Sequence, residues 1–178
     1  MKETRIINIG GSNGLNIAFI LNQSIKESEH PSLPKGTNAY FIVDSDTDAE
    51  VIVNSIKEIV NTKGIIDIDL NDCKSILGNG AHAYFIKASG AGTSYLTDAL
   101  SKIEQNAKIQ GINLFNYKKT LISITINNED ALKGSFTSQL ETLNDFIDKF
   151  DDGFDLKWGL YTSSSLSSNE AIVKLVTC

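Results

Sequence analysis

Apolar positions run along the chain in short blocks and stripes whose period changes from segment to segment, and the period predicts the elements. Residues 6–9 (Ile-Ile-Asn-Ile) read as a short strand, followed by the turn Gly10-Gly11-Ser12-Asn13-Gly14. A helix is expected over 15–26, with Ala18, Leu21 and Ile25 on one stripe. Residues 27–37 hold both prolines (Pro31, Pro34), His30 and Gly36, and read as a solvent loop. The run Ala39-Tyr40-Phe41-Ile42-Val43 is continuously apolar, as expected of a strand covered on both faces. Ser45 to Thr47 then offer helix caps, with Thr47 and Glu50 at capping-box spacing, before Ala49, Ile52, Val53, Ile56, Ile59 and Val60, which repeat at helical period over 47–62.

Gly64 stops that helix. An acidic turn over 65–72 and a short helix over 72–77 lead to Gly78 and Gly80. The second half predicts a strand at 82–88, a helix at 93–107, a strand at 119–126 with Ile122, Ile124 and Ile126 on one face, and a helix at 135–150. The stripe of this last helix is Phe136, Leu140, Leu143, Phe146, Ile147 and Phe150. Two closing strands at 154–162 and 170–177 flank the serine-rich segment 163–168, which reads as a hairpin loop. The fold class is therefore α/β to α+β in two parts. A small parallel sheet with the helices at 15–26 and 47–62 comes first, then a mixed four-stranded sheet with the helices at 93–107 and 135–150.

Composition narrows the function classes. The 178 residues carry 16 Lys plus Arg against 22 Asp plus Glu, a formal charge of −6, and mean hydropathy is −0.09. An acidic chain lacks the cationic excess that draws phosphate backbones or anionic membranes, so neither nucleic acid nor direct membrane contact is expected. No stretch has the length of a spanning helix or of a secretory h-region, and a cytoplasmic location is expected. Cys73, Cys178, His30 and His82 have no zinc spacing and give no disulfide framework.

Three segments carry candidate chemistry. Unpaired N–H groups in a glycine turn at a helix N-terminus can hold an anion, which makes Gly10, Gly11, Ser12, Asn13 and Gly14 a candidate phosphate site beside the simpler reading of a structural turn. The spacing fits neither a dinucleotide fingerprint nor a Walker loop. Asp69 and Asp72, three apart at a helix start, can aim two carboxylates one way, or serve as helix caps. The segment from Asp67 begins like a calcium loop but has Asp72 at its sixth position and Gly78 at its twelfth, so calcium is not expected there. Asp44-Ser45-Asp46-Thr47-Asp48 after an apolar strand resembles the haloacid-dehalogenase phosphatase motif. A magnesium-dependent phosphatase using Asp44 and Asp46 is therefore an alternative function, with helix capping as the plain explanation.

From Gly64 onward the chain resembles the C-terminal half of FtsZ, the bacterial tubulin relative that assembles into the cell-division ring. Gly64-Ile65-Ile66-Asp67-Ile68-Asp69-Leu70-Asn71-Asp72 is similar to that family's synergy loop, with Asp67 at its asparagine position. Ala88-Ser89-Gly90-Ala91-Gly92 stands for its Ala-Ser-Gly turn, and Leu121 to Ile126 for its strand before a Thr-Gly-Gly turn, with Asn127 and Asn128 in place of the glycines. Trp158-Gly159 and Ile172 to Thr177 are similar to its last two strands. Thr47-Asp48-Ala49-Glu50 and the glycine turn at 10–14 resemble pieces of its nucleotide domain, but no Gly-Gly-Gly-Thr-Gly-Thr-Gly signature occurs.

The resemblance divides the chain into a reduced nucleotide-domain-like part, 1–63, and a synergy-type loop with an FtsZ C-terminal-like domain, 64–178. It implies that Asp69 and Asp72, with Asp67 third, act in trans on GTP held by a neighbouring FtsZ-like subunit or a second copy in a filament or dimer. Autonomous GTP hydrolysis is not expected, and the alternative is a self-assembling GTPase binding GTP or GDP at the glycine turn. The chain stops after its last strand, so a flexible tail of the family's kind is not expected.

Overall fold

The computed structural model describes residues 4–22 and 31–178, and the expected helix beyond Asn22, with His30, lies outside them. Two four-stranded sheets form the frame. The first has the order β1 (Thr4–Ile9), β2 (Leu15–Leu21), β3 (Ala39–Val43), β4 (Ala81–His82). The second contains β5 (Tyr84–Ala91), β6 (Lys119–Asn127), β7 (Asp155–Ser163) and β8 (Glu170–Thr177) in the order β5-β8-β6-β7. Helices α1 (Asp46–Asn61) and α2 (Leu70–Ile76) contribute to one core, and α3 (Tyr95–Ile109), α4 (Asn128–Leu132) and α5 (Leu140–Ile147) lie in the second half.

The segment expected to be the first helix is instead strand β2, paired antiparallel with β1 in the register Ile9↔Leu15 to Thr4↔Ile20. Leu15, Ile17 and Phe19 face the core shared with α1 and α2, while Ala18 and Ile20 on the opposite face are also buried. Burial on both faces erases the alternation that distinguishes period 2.0 from 3.6. Ala18 and Leu21, read as one helical stripe, point to opposite sides of the strand. The first sheet is consequently mixed, with β1 antiparallel and β3 and β4 parallel to their neighbours.

The strand expected at 82–88 is divided at Ala83, its start closing the first sheet as β4 and its remainder forming β5. The helix expected at 135–150 is a 3-10 turn (Ser135–Gln139) followed by α5, because Ser135 and Ser138 spend their hydroxyls on the carbonyls of Asp130 and Ser135. Its apolar stripe nevertheless packs as expected, with Phe136, Leu143, Phe146 and Phe150 buried. Segment 163–168 is not a hairpin loop: β7 runs parallel to β6, and β8 inserts between β5 and β6. Asn127 caps α4, accepting from the N–H groups of Glu129 and Asp130.

The cores explain how the halves hold together. Ile86, Leu96, Leu100, Ile103, Ile122, Ile124, Val173 and Leu175 join one face of the second sheet to α3 and α5. The other face gives Leu121, Tyr161 and Val176 to the core of α1, α2 and the first sheet, so α1 and α2 lie between the two sheets. Each such side chain contributes roughly 1.5–3 kcal/mol of transfer free energy. Within residues 70–83, α2 shares the core between the two sheets and β4 pairs with β3.

Candidate functional site

The acidic loop begins where α1 ends. Ser45, rather than Thr47, caps this helix, its Oγ accepting from the Asp48 N–H at 3.2 Å and donating to Asp48 Oδ2 at 2.7 Å. The helix delivers the chain to Thr62, and Gly64 follows in close contact with β7: a Cβ there would stand 2.6 Å from the Leu160 carbonyl oxygen. Ile65 and Ile66 donate to that oxygen at 2.7 and 3.2 Å, and Leu160 donates back to the Ile66 carbonyl at 2.9 Å. The loop thus pairs with the outer edge of β7 at one bridge. Asp67 folds back to accept from the Gly64 N–H at 2.5 Å, and Lys63 lies 3.5 Å from its other oxygen.

Asp69 and Asp72 form a reciprocal capping box on α2. Asp69 Oδ1 accepts from the Asp72 N–H at 2.8 Å, and Asp72 Oδ2 accepts from the Asp69 N–H at 3.1 Å. The structure therefore brings the two carboxylates together and uses one oxygen of each as a cap. Of the remaining oxygens, Asp72 Oδ1 is 3.7 Å from Lys157 Nζ, and exposed Asp69 keeps Oδ2 for solvent or a ligand. Next to them Cys73 is buried, and burial pushes its thiol up to about 12, helped by the negative charges of Asp72 and Asp69. It is not a nucleophile at neutral pH.

The glycine turn stands elsewhere than the sequence implies. Gly11–Asn13 form a 3-10 turn that closes the β1–β2 hairpin, so no helix dipole or N-terminal N–H array backs it. Two of its N–H groups are already used, Gly11 donating to Asn8 Oδ1 and Gly14 to the Gly11 carbonyl, each at 2.9 Å. Gly10 (φ +92°) presses on α2, where a Cβ would meet Leu70 Cδ2 at 2.4 Å, and Lys74 Nζ donates to the Asn13 carbonyl at 2.8 Å. The turn and the acidic loop therefore share one end of the molecule.

At the other end, Asp44 accepts from Asn22 Nδ2 at 3.0 Å and Asp46 pairs with Arg5 at 3.8 Å, so the two acids of the phosphatase-like motif turn to different partners. Among the described residues no group of three or more His, Cys, Asp or Glu is arranged to hold a metal ion, and no helix is long and apolar enough to cross a membrane.

Two groups at the site escaped the sequence reading. The Tyr161 hydroxyl, buried on β7, accepts from the Ile68 N–H at 3.0 Å and donates to the Ile59 carbonyl at 3.1 Å. Lys174, with 6 % of its side chain exposed, donates to Glu58 of α1 at 2.6 Å. Both join positions about a hundred residues apart, and no local pattern signals such a contact. A lysine within the apolar run 171–176 was the one visible hint.

Comparison with known proteins completes the picture. The chain is 26 % identical over 124 residues to the cell division protein FtsZ of Porphyromonas gingivalis, a match covering 70 % of this chain and 26 % of that protein. No protein family's sequence profile matches. Among solved structures, an empty FtsZ dimer from M. jannaschii superposes with a TM-score of 0.61 at 18 % identity, over 79 % of this chain and 45 % of that one. A GTPγS-form TubZ protofilament from Bacillus thuringiensis serovar israelensis gives 0.57 at 12 % identity, over 74 % and 34 %. The chain thus spans about a quarter of the curated relative and less than half of these structures.

Proposed function

We propose, from the similarity of this chain to FtsZ and the fold it shares with FtsZ and TubZ, that it is a cytoskeletal or cell-division-related module of the FtsZ/tubulin kind that docks on an FtsZ-type subunit and supplies carboxylates in trans. One observation carries this reading: the glycine turn and the acidic loop stand side by side, with Gly10 against Leu70 and Lys74 on the Asn13 carbonyl. A subunit that both holds nucleotide and completes its neighbour's site in a head-to-tail row needs those two functions at opposite ends. Here the end opposite the acidic loop carries the start of α1 with Asp46, Asp48 and Glu50 against the cation Arg5, a net negative charge that repels a triphosphate. GTP or GDP accordingly enters this account bound to the partner.

On such a partner the free oxygen of Asp69 accepts a hydrogen bond from the attacking water and orients it. Asp72, anchored by the cap and by Lys157, holds Asp69 in place. The test is single-turnover GTP hydrolysis by an FtsZ-type protein held below its assembly concentration with Mg²⁺, with and without this chain. Asp69→Asn preserves the cap, since the two residues cap equally well, and removes the charge. The reading expects the chain to raise turnover and Asp69→Asn to lower that stimulated rate by about a hundredfold. Equal stimulation by wild type and Asp69→Asn, or no stimulation at all, contradicts it.

A further inference from the structure

We infer that the Tyr161 hydroxyl is a second positioning group of the acidic loop, fixing the backbone just before Asp69 while Asp72 holds its side chain; its bearing on a partner's reaction rests on the function proposed above. The Ile68 side chain packs into the core and the Asp69–Asp72 box fixes the end of the loop, but among the described residues few polar ties hold the span between α1 and Ile68. Ile65 and Ile66 are exposed, Asp67 is tied to its own turn, and backbone pairing reaches β7 through Leu160 alone. One buried oxygen closes the span at both ends. Tyr161 Oη donates to the Ile59 carbonyl, among the last four of α1 and without a helical partner of its own. The same oxygen accepts from the N–H of Ile68, the residue immediately before the Asp69 cap. Ile68 is 2 % exposed, so water does not replace that bond.

The surroundings are shaped for the ring. A Cβ on Gly64 would lie 3.0 Å from Tyr161 Cδ1, and a Cβ on Gly159 would lie 2.9 Å from Tyr161 Cε2 and 2.9 Å from Ile68 Cγ1. Neither glycine has a positive φ, so it is the space a side chain would fill that requires them. Gly64, Gly159 and Tyr161 make a slot that clamps the loop, with the hydroxyl as its only polar contact to the Ile68 backbone among the described residues.

Tyr161→Phe keeps the ring and removes both bonds, and amide hydrogen exchange reads the loop without any partner. Protection at Ile68 is expected to fall about tenfold while Val173 and Ile124 in the second sheet keep wild-type protection. In the single-turnover assay, the rate supported on the FtsZ-type subunit is expected to drop about tenfold with the half-saturating concentration changed less than threefold. Gly159→Ala, which crowds the slot but leaves the hydroxyl, is expected to give the same two changes. Unchanged protection at Ile68 in Tyr161→Phe, or a loss shared equally by the whole second sheet, overturns the inference. Failure of the wild-type chain to stimulate the subunit counts against the proposed function alone, because the exchange result still decides the role of Tyr161.

Discussion

At Gly90 a methyl group would stand 1.9 Å from the Tyr95 carbonyl oxygen and 2.4 Å from the Ala99 nitrogen, both backbone atoms of α3. Gly90 was legible as part of an Ala-Ser-Gly turn. In fact it is a strand residue of β5, and it lets a helix lie directly on the sheet, while Gly92 (φ +89°) makes the turn. Gly90→Ala is expected to cost about 3 kcal/mol, at the upper end for overpacking, read from the urea midpoint. Gly92→Ala has open space around it and is expected to cost about 1 kcal/mol through backbone strain alone. The acidic pair was likewise half legible: spacing shows Asp69 and Asp72 on one side of a helix start, but only the fold shows one oxygen of each committed to the cap.

Among the elements, α1 was read from its period and its candidate caps and formed as expected, and of the caps offered by Ser45 to Thr47 it is Ser45 that binds, not the Thr47 of the capping-box spacing. Ser45→Ala is expected to lower stability by about 1 kcal/mol, whereas Thr47→Ala, which removes no cap, is expected to change it by less than about 0.5 kcal/mol in the same thermal melt. The other end of α1 is fastened to β8 by Glu58 and the buried Lys174. Glu58→Ala leaves that ammonium without its acceptor and is expected to cost about 1–2 kcal/mol, the glutamate's own exposure keeping the figure low. Lys174→Met removes the buried charge as well and is expected to cost less than Glu58→Ala. Element type was legible in α1 and α3, where a long stripe leaves one face wet. It was lost in β2, where both faces are buried and only the pairing with β1 decides.

For the whole molecule, strand order was the least legible feature. β8 lies between β5 and β6 through pairings as distant as Tyr84 with Thr177, so the closing strands look like a hairpin in sequence although they are not neighbours. Burial also sets a pH window. It pushes Tyr117 and Cys73 up to about 12, with Tyr40, Tyr95, Tyr161 and Cys178 raised as well, from ordinary values of 10.0 for the phenols and 9.0 for the thiols. The unfolded chain gives up these protons first, so their contribution is complete below pH 9.0 and is lost as pH rises toward 12. Burial lowers His82 below 6.5, so its contribution is complete above that value and is lost as pH falls. The melting temperature is expected to be level between about pH 6.5 and 9 and to fall on either side, measured by circular dichroism.

On the proposed function the chain works through a partner that carries the nucleotide. The most direct test is sedimentation velocity of the labelled chain mixed with an FtsZ-type protein loaded with a slowly hydrolysed GTP analogue and Mg²⁺. At tens of micromolar the label is expected to move into a faster boundary, and not to do so when the FtsZ-type protein is omitted and the analogue alone is present. A label that sediments unchanged with the loaded protein, or one that self-assembles on adding the analogue alone, would contradict the proposed function.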